Sequence, residues 1–186
     1  MRKILIILLV AFGLSGCNSN GDALDRAVSL RNRLLQNQVC TFDAVITADY
    51  GNEIYTFRTK CKFNEDRSLS FEVVEPNTIA GISGNISAGN GIIRFSDTIL
   101  AFPMLADGQI TPVTAPWVIM NTLCSGYIQY CGDDNFGIRI GIHDSYLEEA
   151  LMLDIWTDEE DLPVRGEILW DSNRILSVDI IDFCFQ

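Results

Sequence analysis

Histidine is almost missing from the 186 residues: His143 is the only one. It stands beside Asp144 and Ser145 at the end of an alternating run, and no spacing sets these three as acid, base and nucleophile. His143 reads as a surface histidine. No Cys-x-x-Cys pair occurs among the six cysteines, which removes a common thiol-redox and zinc signature. Glycines at 81, 84, 89 and 91 are not followed by Gly-Lys-Ser/Thr or by a helix pattern, so they read as turn and curved-strand residues and not as a phosphate loop. The acidic runs GDDNFG (132–137) and DEEDLP (158–163) lack the spacing of a calcium loop. No linker, repeat or low-complexity block divides the chain. These absences leave no catalytic residue, no metal ligand and no cofactor to assign, and the chain is read as a non-enzyme.

A basic surplus is also missing. The chain has 13 Lys and Arg against 25 Asp and Glu. Such a surface is repelled by nucleic acid and by anionic headgroups. The apolar run Ile4–Phe12 is too short to span a bilayer comfortably as a permanent helix. It follows Arg2 and Lys3 and precedes Leu14-Ser15-Gly16-Cys17, the layout of a cleaved export signal. Those last four residues resemble the lipobox of bacterial lipoproteins, in which the cysteine becomes the acylated first residue. The expectation is a signal peptide at 1–16, a lipid anchor at Cys17, a tether at 17–21 and a single domain at 22–186. Loss of Arg2 and Lys3 leaves 11 basic residues and a formal charge near −14. The protein then meets the membrane through its lipid from the extracytoplasmic side.

What is present is mostly alternation. The stretch CTFDAVITADYGNEIYTFRTKC (40–61) holds a turn signal between two alternating runs. With Tyr50 and Gly51 as the two-residue loop, Cys40 faces Cys61 and Asp43 faces Arg58. A Cys40–Cys61 disulfide follows from that register and fits an oxidising compartment. One face collects Phe42, Ala44, Ile46, Tyr55, Phe57 and Thr59. Cys124, Cys131 and Cys184 stay unassigned, since at most two of them can pair.

Residues 22–37 carry Leu24, Ala27, Val28, Leu34 and Leu35 at helical spacing after Asp22, and predict an amphipathic helix. Leu69, Phe71 and Val73 share the face of Cys61 and Phe63 if Glu65-Asp66-Arg67 makes the loop. Strands follow near 79–87 and 91–95 around Asn90-Gly91, and then over TILAFP. A second helix is expected from Thr114, with Trp117, Met120, Leu123 and Cys124 on one face and Gly126 as its stop. Strand patterns resume at Gly137, with a turn at Asp171-Ser172-Asn173 and a phase slip near Ile180 that predicts a bulge. The count is eight to ten antiparallel strands and two helices. The predicted inner face is aromatic, with Phe42, Phe57, Phe71, Phe95, Trp156 and Phe183.

This order of elements resembles the lipoprotein-carrier superfamily, the LolA/LolB-like and mycobacterial LppX-like proteins. The likeness covers 22–186: a leading helix, the long first hairpin, a meander, the inserted helix APWVIMNTLCSGYI and the closing strands EILWDSNRILSVDIIDF. It implies an α+β, mainly antiparallel fold: a strongly curved half-open β-barrel sheet with both helices on its concave side. Several members bind acyl chains in the hollow; some lipid-anchored relatives act instead as partners of envelope or spore enzymes. The chain departs from soluble carriers by its own lipobox and its cysteines. Two functions are therefore expected. One is an anchored binding protein for an apolar, lipid-like ligand at Phe42, Ile46, Tyr55, Phe57, Phe71, Trp117 and Met120. The other is a protein-interaction module that regulates an envelope or spore enzyme. A bent sheet of this size ends either as a filled core or as a hollow.

Overall fold

A computed structural model of the chain describes residues 19–37, 39–51, 53–88, 90–103, 105–106, 109–135, 137–146, 150–171 and 173–186. The signal peptide and Cys17 lie outside the described residues. Helix α1 spans Ser19–Asn37, so residues 19–21 of the expected tether form its first turn. Its buried stripe is Ala23, Ala27, Leu30 and Leu34, whereas Leu24, Val28 and Leu35 are exposed. The expected stripe is thus rotated, because side chains on the opposite flank tie the helix down. Arg26 pairs with Asp161 at 2.6 Å, and Arg33 donates to the Glu160 carbonyl at 3.0 Å and lies over the Phe185 ring.

Strands β1 (Cys40–Asp49) and β2 (Ile54–Phe63) form the first hairpin. Its register differs from the expectation by two residues. Asp49 faces Ile54, Phe42 faces Cys61 and Cys40 faces Phe63. The turn is centred one residue later, because Gly51 takes φ +81, which a glycine adopts without Cβ strain, and its N–H bonds the Asp49 carboxylate at 2.8 Å. Cys40 and Cys61 are therefore diagonal neighbours, and both are free, buried thiols; the expected disulfide is not formed. A slip of two keeps every side chain on its face. Phe42, Ala44, Ile46, Thr59 and Cys61 are buried as expected, while Tyr55 is 51% exposed. Arg58 still pairs with Asp43 at 2.6 Å, but diagonally, since Lys60 stands opposite Asp43.

Strand β3 (Leu69–Glu75) joins β2 with Phe63 opposite Leu69, around the three-residue loop that the sequence indicated; Arg67 in it has φ 61. Strands β4 (Ser83–Ser87), β5 (Asn90–Phe95) and β6 (Thr98–Pro103) continue the meander. Asn90 already pairs with Ser87, so Asn90-Gly91 opens β5 instead of forming the turn. Two-residue strands β7 (Leu105–Ala106) and β8 (Gln109–Ile110) pair with each other. A 3₁₀ turn at Pro112–Thr114 then leads into α2 (Ala115–Ser125), which ends at Gly126. Strands β9 (Tyr127–Asp133), β10 (Ile138–His143), β11 (Met152–Thr157), β12 (Pro163–Trp170) and β13 (Asn173–Phe185) complete the chain.

Among the described residues there are thirteen strands, more than the eight to ten expected, and eleven of them form one open antiparallel sheet in the order β6-β5-β4-β3-β2-β1-β13-β12-β11-β10-β9. Helix α2 touches β2 and also β10, β11, β12 and β13. A helix about 10 Å across reaches strands that far apart only if the sheet bends around it. Helix α1 lies along β9 at one edge and touches α2. The expected bulge is present. Leu176, Val178 and Ile180 are buried, Asp182 takes φ 54, and Phe183 then stacks on Phe42 at 5.8 Å. The phase slip thus sits opposite Phe42, just after Ile180. The result is a half-open sheet wrapped around an inserted helix.

Candidate functional site

The concave side is packed. In α2, Trp117, Val118, Ile119, Met120, Leu123 and Cys124 are all buried, so the helix is apolar nearly all round and fills the bend instead of lying over it. Gly166 lets it sit close: a Cβ there would stand 2.5 Å from Ile119 Cδ1. Trp117 donates its indole N–H to the Arg67 carbonyl at 2.7 Å, which joins α2 to the β2–β3 loop. Ile46 and Met120 are fully buried, and Phe42, Phe71 and Trp117 are 3%, 4% and 5% exposed. These five expected ligand residues therefore belong to the core. Of the other inner-face aromatics, Phe95 is exposed. Trp156 is on the outer face, stacked between Arg139 and Arg165.

Tyr55 and Phe57 have a different fate. They wall an open cleft of about 500 Å³ at the end of the sheet where the first hairpin projects. Tyr50 stands edge-on to Tyr55 at 6.1 Å. Pro76, Ile79, Pro112 and Val113 close the other side, and Thr56, Thr78 and Thr111 supply hydroxyls at the rim. The Tyr55 hydroxyl bonds Glu53, which raises its pKa. The cleft exists because β2 outruns β3: Arg58 opposite Glu75 is the last pair, and Ile54–Phe57 have a neighbour only on the β1 side. The volume falls in the range of small-molecule sites. The contribution of loop 76–79 was not legible, because the sequence reads Ile79 into a strand that begins only at Ser83, residues 79–81 being a turn; segment 111–113 carries no periodic pattern.

Two segments singled out by the sequence have structural roles. Asp158 accepts the N–H groups of Glu160 (3.0 Å) and Leu162 (2.8 Å), so the acidic run at 158–163 is the shaped loop that receives α1. His143 ends β10, and the Asp144 carboxylate accepts the Leu151 N–H at 2.9 Å. Among the described residues no three His, Cys, Asp or Glu side chains converge as a metal site, and no helix is long and apolar enough to cross a membrane. Burial pushes the Cys40 and Cys61 thiols up to about 12.

No family model matches the chain, and no curated protein does. Solved structures match most of its length. One is an uncharacterized conserved protein from Thermus thermophilus, at 12% identity over 86% of this chain and 87% of that one, TM-score 0.48. Another is a LolA superfamily protein from Nitrosomonas europaea, at 8% identity over 86% and 93%, TM-score 0.43. A third is the lipoprotein LppX from Mycobacterium tuberculosis, at 10% identity over 84% and 92%, TM-score 0.40. No residue's role is carried over from them.

Proposed function

We propose that the protein is a non-enzymatic, extracytoplasmic binding module, anchored through acylated Cys17, that takes a lipid-like ligand in the cleft walled by Tyr50, Tyr55 and Phe57. The observation that carries this reading is an open apolar cleft lined by three aromatic rings beside a packed interior. Apolar contact with such walls contributes about 25 cal/mol per Å² removed from water, enough for an acyl segment. The interior reading is replaced by a mouth reading: the ligand enters beside the core and does not displace it. Acyl chains on Cys17 would hold the domain at the bilayer, where such ligands are concentrated.

Native mass spectrometry of the protein purified from a membrane-containing host tests the ligand. A co-purifying lipid mass, lost in Tyr55→Ala/Ile79→Glu, is expected; absence of any bound mass in the parent overturns the reading. Palmitate incorporation that disappears in Cys17→Ala is the corresponding result for the anchor.

One observation favours the second reading, a module that binds an envelope or spore enzyme. The β6 edge of the sheet has no paired neighbour beyond it among the described residues, and Ile99 and Leu100, on opposite faces of that strand, are 66% and 61% exposed. An uncharged apolar edge is a template for a partner strand. Crosslinking in the native envelope that captures one enzyme through Ile99 or Leu100 would favour this reading.

A further inference from the structure

The apolar cleft is not an isolated opening. A second one, of about 460 Å³, shares Thr56, Phe57 and Pro76 with it and runs past the end of β3 to Val45 and Arg58 on the outer face. Arg58 is tied to Asp43, and Asp43 lines a third opening, a polar groove of about 810 Å³ across β1 to β5. The inner mouth and the outer face thus share walls at the notch left where β3 stops.

The groove has an unusual charge for this chain. Lys60 and Lys62 are the only lysines after Lys3, and both line it, as does Arg94. Among the described residues none of the three makes an ion pair. Asp43 is neutralised by Arg58, which leaves Glu72 and Asp182 as the opposing carboxylates. Three unpaired cations face two acids, in a chain whose acids far outnumber its bases. Ser70, opposite Lys62, adds a donor. Its oxygen accepts from Asn64 at 3.2 Å and from Asn85 at 3.3 Å, so its own hydrogen is left to donate into the groove.

We propose that these openings form one site for an anionic amphiphile. Its apolar end lies against Tyr55, Phe57 and Ile79, and its single head, a phosphate or a carboxylate, is held by Lys60, Lys62 and Arg94. The proposal rests on the reading of the cleft as an acyl site. Along β2 the step from Phe57 to Lys60 or Lys62 is roughly 10 to 17 Å at about 3.3 Å per residue, a span that one extended chain covers. Glu72, opposite Lys60, disfavours a polyanion and suits a compact head.

The test is a native mass spectrometry titration of the intact chain, stripped of co-purified lipid in a short-chain detergent. The probes are lysophosphatidylglycerol, a monoacylglycerol of the same chain length, and inorganic phosphate. Lysophosphatidylglycerol is expected to bind roughly tenfold tighter than the monoacylglycerol, as one charge-assisted contact provides. Lys60→Gln/Lys62→Gln/Arg94→Gln is expected to erase that difference while monoacylglycerol binding persists. Equal binding of the two lipids by the parent overturns the proposal and leaves the acyl cleft standing. Binding of neither lipid overturns both. Inorganic phosphate binding as tightly as the lipid, with no added effect of the chain, makes the groove a free-anion site and also overturns the proposal.

Discussion

Cys40 and Cys61 lie at the bottom of the core, 2% and 4% exposed, on adjacent strands but one diagonal apart. Burial keeps both protonated to about 12, against an ordinary value of about 8.5. Native protein at pH 8 should therefore be alkylated first at exposed Cys184, and at Cys40 and Cys61 only after denaturant is added, as read by intact mass. The same burial sets a pH dependence. Above the ordinary value the unfolded chain loses these protons while the folded chain retains them. Stability is thus held below about 8.5 and falls as pH rises toward about 12, which urea melts at pH 8 and 10 should show. On the outer face, Asp154 is 3% exposed and is held by the Tyr130 hydroxyl and by Arg139 at 2.5 Å. Burial first, then the bond to Asp154, pushes the Tyr130 hydroxyl up to about 12. Arg139→Ala strands a buried carboxylate and should cost about 2 kcal/mol, reduced from a fully buried case because Arg139 is half exposed. Arg174→Ala, at an exposed pair, should cost under about 1 kcal/mol in the same urea assay.

At the scale of elements, the contact between α2 and β12 is the tightest test of the packing. Gly166→Ala places a methyl group against Ile119 and should destabilise by about 1–3 kcal/mol. In an Ile119→Val background the penalty should shrink, and a double-mutant cycle that finds additive effects would remove the contact from the account. Strand faces were readable in advance, because alternation has period two and survives even the two-residue slip of the first hairpin. The pairing itself was not, since it depends on whether Tyr50 or Gly51 leads the turn, and Gly51 leads by accepting positive φ. The helices show the same division. Trp117, Met120, Leu123 and Cys124 were legible as a buried face, but Val118 and Ile119 are buried as well, and a helix apolar all round has no readable orientation. For α1 the stripe was misjudged toward Leu24 and Val28, because the ties from Arg26 and Arg33 to the loop at 158–161 are invisible to periodicity. Tyr55 and Phe57 were legible as inner-face residues through their strand; of the residues that face them across the cleft, Ile79 was read into a strand that begins only at Ser83, and Val113 sits on a segment with no repeat.

At the scale of the whole molecule, the question is whether α2 is a lid over a hollow or a plug inside the core, and the two make opposite demands on ligand binding. A lid must move, so its residues trade stability against affinity. A plug carries stability alone and leaves binding to the mouth. Full burial of Ile119 and Met120 and the position of the cleft at the hairpin end both describe a plug. Met120→Ala should therefore destabilise by about 2–5 kcal/mol, the cost of a core cavity, and leave the affinity for an acyl probe unchanged where the protein is folded. Tyr55→Ala, at a half-exposed wall of the cleft, should weaken the probe several-fold while it shifts the melting temperature little. The ligand itself, bound to the native state alone, should stabilise the parent by about 2.7 kcal/mol at a hundredfold excess over Kd. A melting curve and a titration on each of the three proteins separate the schemes. If Met120→Ala gains affinity as it loses stability, the helix gates an interior site, and the ligand belongs under α2 instead of beside it.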